Sequence, residues 1–267
     1  MEIWRHLDPY LTILTIAAVF VPFEILRPAR RRPDFSWARY RTDLLHILFG
    51  GFLIRFGTGL AVVFLASLSA PVTSVAAMPI WVQFAIILVL SDLCFWIAHR
   101  IYHAVPVLWE FHRIHHSSEH LDWLAAYRVH PADQIVNSAI IALPAIYLGF
   151  SPLAIVIYGL IYRWHSILLH SNVDIDFGML GRIVTTPRFH HWHHANEAHA
   201  YDRNFGGQLV IWDKLFGTAL DPKGTRPERY GVDNPPEESF VDHMTSPFKA
   251  SFQHARRHRN IPDRSAL

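Results

Sequence analysis

Ten of the nineteen histidines in this chain fall into four short-spaced groups: His99 with His103; His112 with His115 and His116; His165 with His170; and His190 with His193 and His194. Imidazole is the commonest protein ligand for Fe, Zn and Cu. Neither an apolar core nor a membrane span needs so many imidazoles so close together. The clustering constrains the fold strongly, because groups this far apart in the chain must meet on one side of whatever the intervening apolar runs build. Ten imidazoles exceed the coordination of one ion, so the pattern predicts a dinuclear metal centre made almost entirely of histidine.

The apolar runs are long: Tyr10 to Leu26, Leu44 to Leu68, Ile80 to Ala98 and Ile135 to Trp164. Crossing a bilayer takes about 20 apolar residues, which the second and third runs satisfy outright. The first is shorter and carries Glu24 near its end. It reads as a span and not as a cleaved leader, having no basic start followed by a small-residue cleavage site. In 267 residues, 51% of them hydrophobic, this predicts a single all-α integral membrane domain with about four membrane helices. Transmembrane helices are expected over residues 10–98, a histidine-rich catalytic region over 99–220 with a membrane hairpin at 135–164, and a polar cytosolic tail over 221–267.

Charge sets the topology. The loop from Arg27 to Arg41 holds six arginines, Arg27, Arg30, Arg31, Arg32, Arg39 and Arg41, against one acid, Asp34. Short loops rich in Arg stay cytoplasmic. The next loop, Ser69 to Pro79, is uncharged and fits the opposite side. The third run then returns to the cytoplasm at His99. If Ile135 to Trp164 crossed once, His190 to His194 would lie across the bilayer from His99 and could share no metal pair. Gly149-Phe150-Ser151-Pro152 supplies turn residues at its middle, which predicts a re-entrant hairpin with arms of about 12–14 residues, or roughly 20 Å each. The basic run Arg256-Arg257-His258-Arg259 ends a tail that is solvated or touches anionic headgroups.

Several chemistries are excluded. The single cysteine, Cys94, lies in an apolar run and rules out a disulfide framework, a Cys-ligated zinc site and a self-contained Fe–S cluster. Formal net charge is +2 with no basic face, so nucleic acid is not an expected partner. There is no His-Glu dipeptide for a zinc-protease motif, and no Glu has a His three positions later, as carboxylate-bridged di-iron bundles require. A neutral, all-nitrogen shell at a membrane surface remains, able to hold two irons that activate O2 against an unactivated C–H bond. The alternatives are a b-type haem protein and a non-catalytic zinc-binding or zinc-transporting membrane protein. Haem wastes dense histidine triplets, and transport favours ionisable residues on both sides of the bilayer.

Between about Asp92 and Thr218 the motifs His99-Arg-Ile-Tyr-His103, Trp109-Glu-Phe-His-Arg-Ile-His-His116, Tyr127-Arg-Val-His-Pro131, His170-Ser-Asn172, Thr186-Pro-Arg-Phe-His-His-Trp-His-His194, Asn204-Phe-Gly-Gly207 and Trp212-Asp-Lys-Leu-Phe-Gly-Thr218 follow in order. In this series the chain resembles the fatty acid hydroxylase/sterol desaturase superfamily of membrane di-iron oxygenases. The resemblance implies a helical membrane base under a cytosolic histidine-rich cap and two non-haem irons. It also implies O2 as co-substrate, an external ferredoxin- or cytochrome-type electron donor, and hydroxylation or desaturation of an apolar lipid such as a sterol or fatty acyl chain. By the same resemblance His99, His103, His112, His115, His116, His170, His190, His193 and His194 are iron ligands, with His130 and His165 as further candidates.

Metal-bound histidines usually donate their other N–H to a carboxylate or carbonyl. Glu110, Asp122, Asp202 and Asp213 are the nearest acids, and Asp202 and Asn204 are the preferred supporting catalytic residues. His191 and His199 fall outside the shared positions and read as surface residues or as residues behind the ligands. Asp92 lies in an apolar run seven residues before His99. It either serves the site or makes a helix-packing hydrogen bond.

Overall fold

Proline together with a capping side chain starts three of the helices, over Pro131–Leu148, Pro152–His170 and Pro187–His193. The computed structural model describes residues 2–31, 34–68, 70–72, 74–222 and 224–259, and their side chains except those of 2–10 and 253–259. Arg32, Ser69 and the side chains of Arg256-Arg257-His258-Arg259, all used in the charge argument, lie outside the described residues. Ten α-helices are seen among them: α1 (Glu2–Leu26), α2 (Trp37–Leu45), α3 (Gly51–Ser67), α4 (Ile80–Ala104), α5 (Pro106–His116), α6 (Pro131–Leu148), α7 (Pro152–His170), α8 (Pro187–His193), α9 (Ile211–Leu215) and α10 (Phe240–Arg259). Isolated β-bridges pair Pro28 with Val173, Val184 with Leu209 and Ala195 with Tyr230. Pro106, Pro131, Pro152 and Pro187 each open a helix, where a missing N–H costs nothing. The Ser151 hydroxyl accepts from Ala154 N, and the Thr186 hydroxyl from Phe189 N.

Three segments are long and apolar enough to cross a membrane: Trp37–Ser67, Ile80–Ala104 and Pro152–His170. The first joins α2 to α3 through a π-turn at His46–Gly50. Phe52, Phe56, Val63 and Phe64 stay exposed along α3, as a lipid-facing surface requires. On its other side α3 meets α6 closely. A Cβ added at Gly57 would sit 2.4 Å from Ile135 Cδ1, so a larger residue there would push the Ile135 side chain aside.

The hairpin is present, but its arms are longer than expected. α6 has 18 residues and α7 has 19, or about 27–29 Å each. The apolar run stops at Ile135 and Trp164, whereas the helices extend through Pro131 and His170. Gly149 makes the turn at φ +59°. The α3–α4 loop packs on that turn through Val72 N to Tyr147 O and Val75 N to Leu148 O. These loops therefore share the end of the bundle away from the histidines.

At the histidine end, Arg128 is 1% exposed and binds Asp43 at 2.7 Å and Glu238 at 2.9 Å. Arg39 pairs with Asp122 at 3.0 Å. The segment after residue 220, expected as a polar tail, holds a helix that packs on the protein through a few buried residues. α10 lies against α5 and α2, Phe248 meets Phe111 edge-on at 5.1 Å, and His243 is buried with its Nδ1 3.0 Å from His46 Nε2.

Candidate metal centre

α4, α5, α7 and α8 end at one level and deliver nine imidazoles to two adjoining sets. His99, His103, His112, His116 and His193 form the first, and His115, His170, His190 and His194 the second. Within each set the ligand nitrogens lie within 4.8 Å of one another. Each His-x-x-His-His motif divides two to one. At 100° per residue, positions four apart differ by about 40°, and position three falls on the other side. His112 and His116 thus serve the first set and His115 the second, while His190 and His194 serve the second and His193 the first. The sets share a wall, with the His116 and His194 rings stacked at 4.4 Å.

The outer nitrogens are held. His99 Nδ1 donates to Phe205 O at 2.9 Å, His193 Nδ1 to Arg203 O at 2.8 Å, His115 Nδ1 to Arg128 O at 3.2 Å and His170 Nδ1 to Ser166 O at 2.7 Å. His112 Nδ1 meets a carboxylate, Asp133 Oδ2, at 2.9 Å. Fixing the proton on Nδ1 leaves the Nε2 lone pair to a metal.

The inner nitrogens lack any other partner or face one another. All five Nε2 atoms of the first set are buried with no hydrogen-bond partner. In the second, Nε2 atoms approach Nε2 atoms: His115 to His170 at 3.0 Å, His190 to His170 at 3.0 Å and His194 to His190 at 3.1 Å. Such buried atoms are costly without a partner, and two cations, one per set, meet the need. Burial also pushes the His116, His190 and His194 imidazoles well below their ordinary range, and His193 down to about 3. All four are neutral at pH 7, the form that binds metal. Five nitrogens this close leave no plane for a macrocycle between two axial rings, so the geometry gives the haem alternative no support.

Two buried aspartates brace the loop behind the first set. Asp213 accepts from Phe205 N, Gly206 N, Trp96 Nε1 and the Thr218 hydroxyl at 2.6–3.0 Å. Asp92 accepts from Gln208 N, Leu209 N and Trp212 Nε1 at 2.7–3.1 Å, which ties α4 to this loop. A Cβ at Gly206 would lie 2.4 Å from Leu209 O, and one at Gly207 2.8 Å from the Phe95 ring. Those clashes explain both glycines of Asn204-Phe-Gly-Gly207.

Other expectations need correction. His130 lies outside both sets: its Nδ1 caps α6 by accepting from Ala132 N, and its Nε2 meets Met244 O at 3.3 Å. His165 is likewise committed, to Gln208 Oε1 at 2.9 Å and Thr185 O at 2.8 Å. Asn204 adopts φ +60° and spends its amide on Phe189 O, Leu220 O and Leu220 N, which makes it a brace for the loop. Asp202 is an exposed neighbour of His103 Nδ1 at 3.4 Å. Glu110 pairs with Arg113 and Asp122 with Arg39. A second carboxylate that reaches a ligand, the buried Asp133 on His112, was not among the acids expected. Its cue is modest: it sits in the first turn of α6, three residues after His130.

His191 is not a surface residue. It is 1% exposed, with Nε2 on Ser171 O at 3.2 Å and Nδ1 on the Tyr230 hydroxyl at 3.1 Å. The 100° turn from its neighbours points it away from the metal and into the protein. His191→Ala is therefore expected to cost about 2–4 kcal/mol of stability while the metal bound per folded chain matches the wild type. Thermal melting and metal analysis check this, and loss of metal from folded protein would return His191 to the ligands.

The sequence model of the fatty acid hydroxylase family matches residues 84–218, just over half the chain and both histidine sets. The chain belongs to this family. The ornithine lipid hydroxylase OlsE of Rhizobium tropici is 30% identical over 252 residues, covering 90% of this chain and 74% of that protein. Alkylglycerol monooxygenase is 30% identical over 146 residues in Caenorhabditis elegans and 32% over 127 residues in Homo sapiens. Those matches cover 53% and 45% of this chain but only 28% and 26% of the relatives. No solved structure matches significantly. The family resemblance seen in the motifs therefore holds.

Proposed function

We propose that this chain is an O2-dependent membrane hydroxylase acting on a lipid, with two non-haem irons held by the nine convergent histidines and electrons from a separate ferredoxin- or cytochrome-type donor. The observation that carries the reading is the pair of histidine sets, their Nε2 atoms inward and most of their Nδ1 atoms tied outward. Family membership supports the chemistry, and the relatives named above, hydroxylases and monooxygenases of lipids, favour hydroxylation over desaturation. When bound, the irons supply O2 activation and removal of hydrogen from an unactivated carbon. The chain positions and encloses. Asp133 and the carbonyls of Phe205, Arg203, Arg128 and Ser166 fix the rings, and burial of the sets keeps water from the reacting carbon.

Labelled oxygen tests the reading. Protein supplied with reductant, donor and membrane lipid under 18O2 is expected to yield a hydroxylated lipid carrying one 18O atom. Product without label, or the same lipid profile as a His193→Ala control, would overturn it.

The histidine sets and the carboxyl-terminal segment are proposed to face the cytoplasm. The basic loop supports this, since Asp174 N donates to Arg27 O and Arg39 binds Asp122, both at the histidine end. The Ser74 hydroxyl binds Gly149 O at the other end. In a Cys94→Ala background, Ser74→Cys and Thr225→Cys are expected to react with an impermeant thiol reagent from opposite sides. Reaction from the same side would contradict the topology.

A further inference from the structure

A cavity of about 350 Å³ adjoins both histidine sets on the membrane side, touching His99, His112, His115, His170 and His190. Its wall can be followed away from the metal along three helices. On α7 it runs from His170 through Ser166 to Arg163, on α6 from Asp133 to Asn137, and on α3 from Gly51 to Arg55. α3 and α6 run away from the histidine end and α7 runs toward it. Arg55, Asn137 and Arg163 therefore all lie on the bilayer side, with Arg163 about 10 Å along the helix axis from His170.

Polar groups gather there that a membrane helix does not need. Arg55 and Arg163 lie in two of the three membrane-crossing segments, and both are exposed, so this end of the cavity opens toward lipid. Neither guanidinium has a carboxylate within ion-pair distance among the described residues. The one carboxylate in the described wall, Asp133, is taken by His112. Asn137 Oδ1 is buried without a partner, and the Tyr127 hydroxyl lies beside Arg163. Charged side chains in spans are costly and, where they face a cavity, mark a path for a ligand. A guanidinium presents a planar fork of donors matched to carboxylate and phosphate.

We propose that Arg55 and Arg163 bind an anionic headgroup, so that this protein takes a lipid bearing a carboxylate or phosphate in preference to a neutral one. That the bound lipid is the substrate rests on the hydroxylase reading; the anion site itself does not.

The test reads binding without turnover. Protein in phosphatidylcholine nanodiscs is titrated with oleic acid, dioleoyl phosphatidic acid or dioleoylglycerol, and lipid retention is followed by native mass spectrometry. At least one of the two acids is expected to be retained about tenfold more strongly than dioleoylglycerol, and whichever it is identifies the headgroup. The preference should disappear in Arg55→Gln/Arg163→Gln and largely survive in Arg55→Lys/Arg163→Lys, which keeps the charge. Equal retention of all three lipids by the wild type, a measurement independent of any variant's folding, overturns the proposal. So does a folded Gln variant that keeps the preference. Labelled-oxygen turnover without any anionic preference leaves the hydroxylase reading standing, and an anionic preference without turnover leaves the anion site standing.

Discussion

Replacing His193 with alanine is expected to abolish hydroxylation and strip iron from the first set. His193 is the imidazole that α8 contributes to that set, and its ring centroid lies 4.4 Å from His99, 4.6 Å from His116 and 4.9 Å from His103. Its removal opens one coordination position and leaves Arg203 O without the Nδ1–H that it accepts. Loss of an outer partner to a ligand alone already costs about 10–100-fold in affinity or activity, so loss of the ligand should exceed about 100-fold. His199→Ala is the matched control, because its side chain is 58% exposed and outside both sets. Labelled-oxygen turnover and iron per chain check both variants. A His193→Ala protein with turnover within tenfold of wild type would mean that the first set does not hold a catalytic metal.

Asp213→Ala is expected to give the largest loss of stability. One buried carboxylate there accepts four hydrogen bonds, two from backbone amides, one from an indole and one from a hydroxyl. Removing it strands four donors that water cannot easily reach. At about 1–3 kcal/mol for each unsatisfied group, less whatever the loop recovers by shifting, the cost is about 4–6 kcal/mol. Activity should fall with it, because Phe205 carries both an amide held by Asp213 and the carbonyl that orients His99. Asp202→Ala, two residues from the same loop's brace but exposed, should leave the thermal midpoint nearly unchanged. Equal melting of the two variants would show that the Asp213 network is not what holds the loop.

Much of the site could be read from spacing, because an α-helix converts positions three and four apart into neighbours whatever else the fold does. Ten clustered histidines, the apolar spans and the turn residues around Gly149 follow from local pattern, whereas the set of nine ligands is what the family resemblance implies and the hairpin follows from the need for the clusters to meet. What pattern hides is partnership across the chain. Asp133 reaches His112 over 21 residues, and Asp213 reaches Trp96 over 117, and neither carboxylate sits at a telling interval from its partner. His130 and His165 carry the same imidazole as the ligands but spend both nitrogens on backbone and amide groups. His191 follows the second of its two readings, because the helical turn that takes it off the ligand face buries it against Ser171 and Tyr230. α10 escaped a hydropathy reading because its buried contacts are few and partly polar, with His243 on His46 and Phe248 on Phe111.

Nine imidazoles, in sets of five and four, are proposed to hold two irons. The direct measurement is metal content and Mössbauer spectroscopy on protein produced with 57Fe in excess, purified without chelator and compared with His193→Ala and His190→Ala. About two non-haem irons per wild-type chain are expected, in nitrogen-rich sites without sulfur ligation, with a deficit in each variant. One metal per folded chain, or two zinc ions that iron cannot replace in an active preparation, would contradict that proposal.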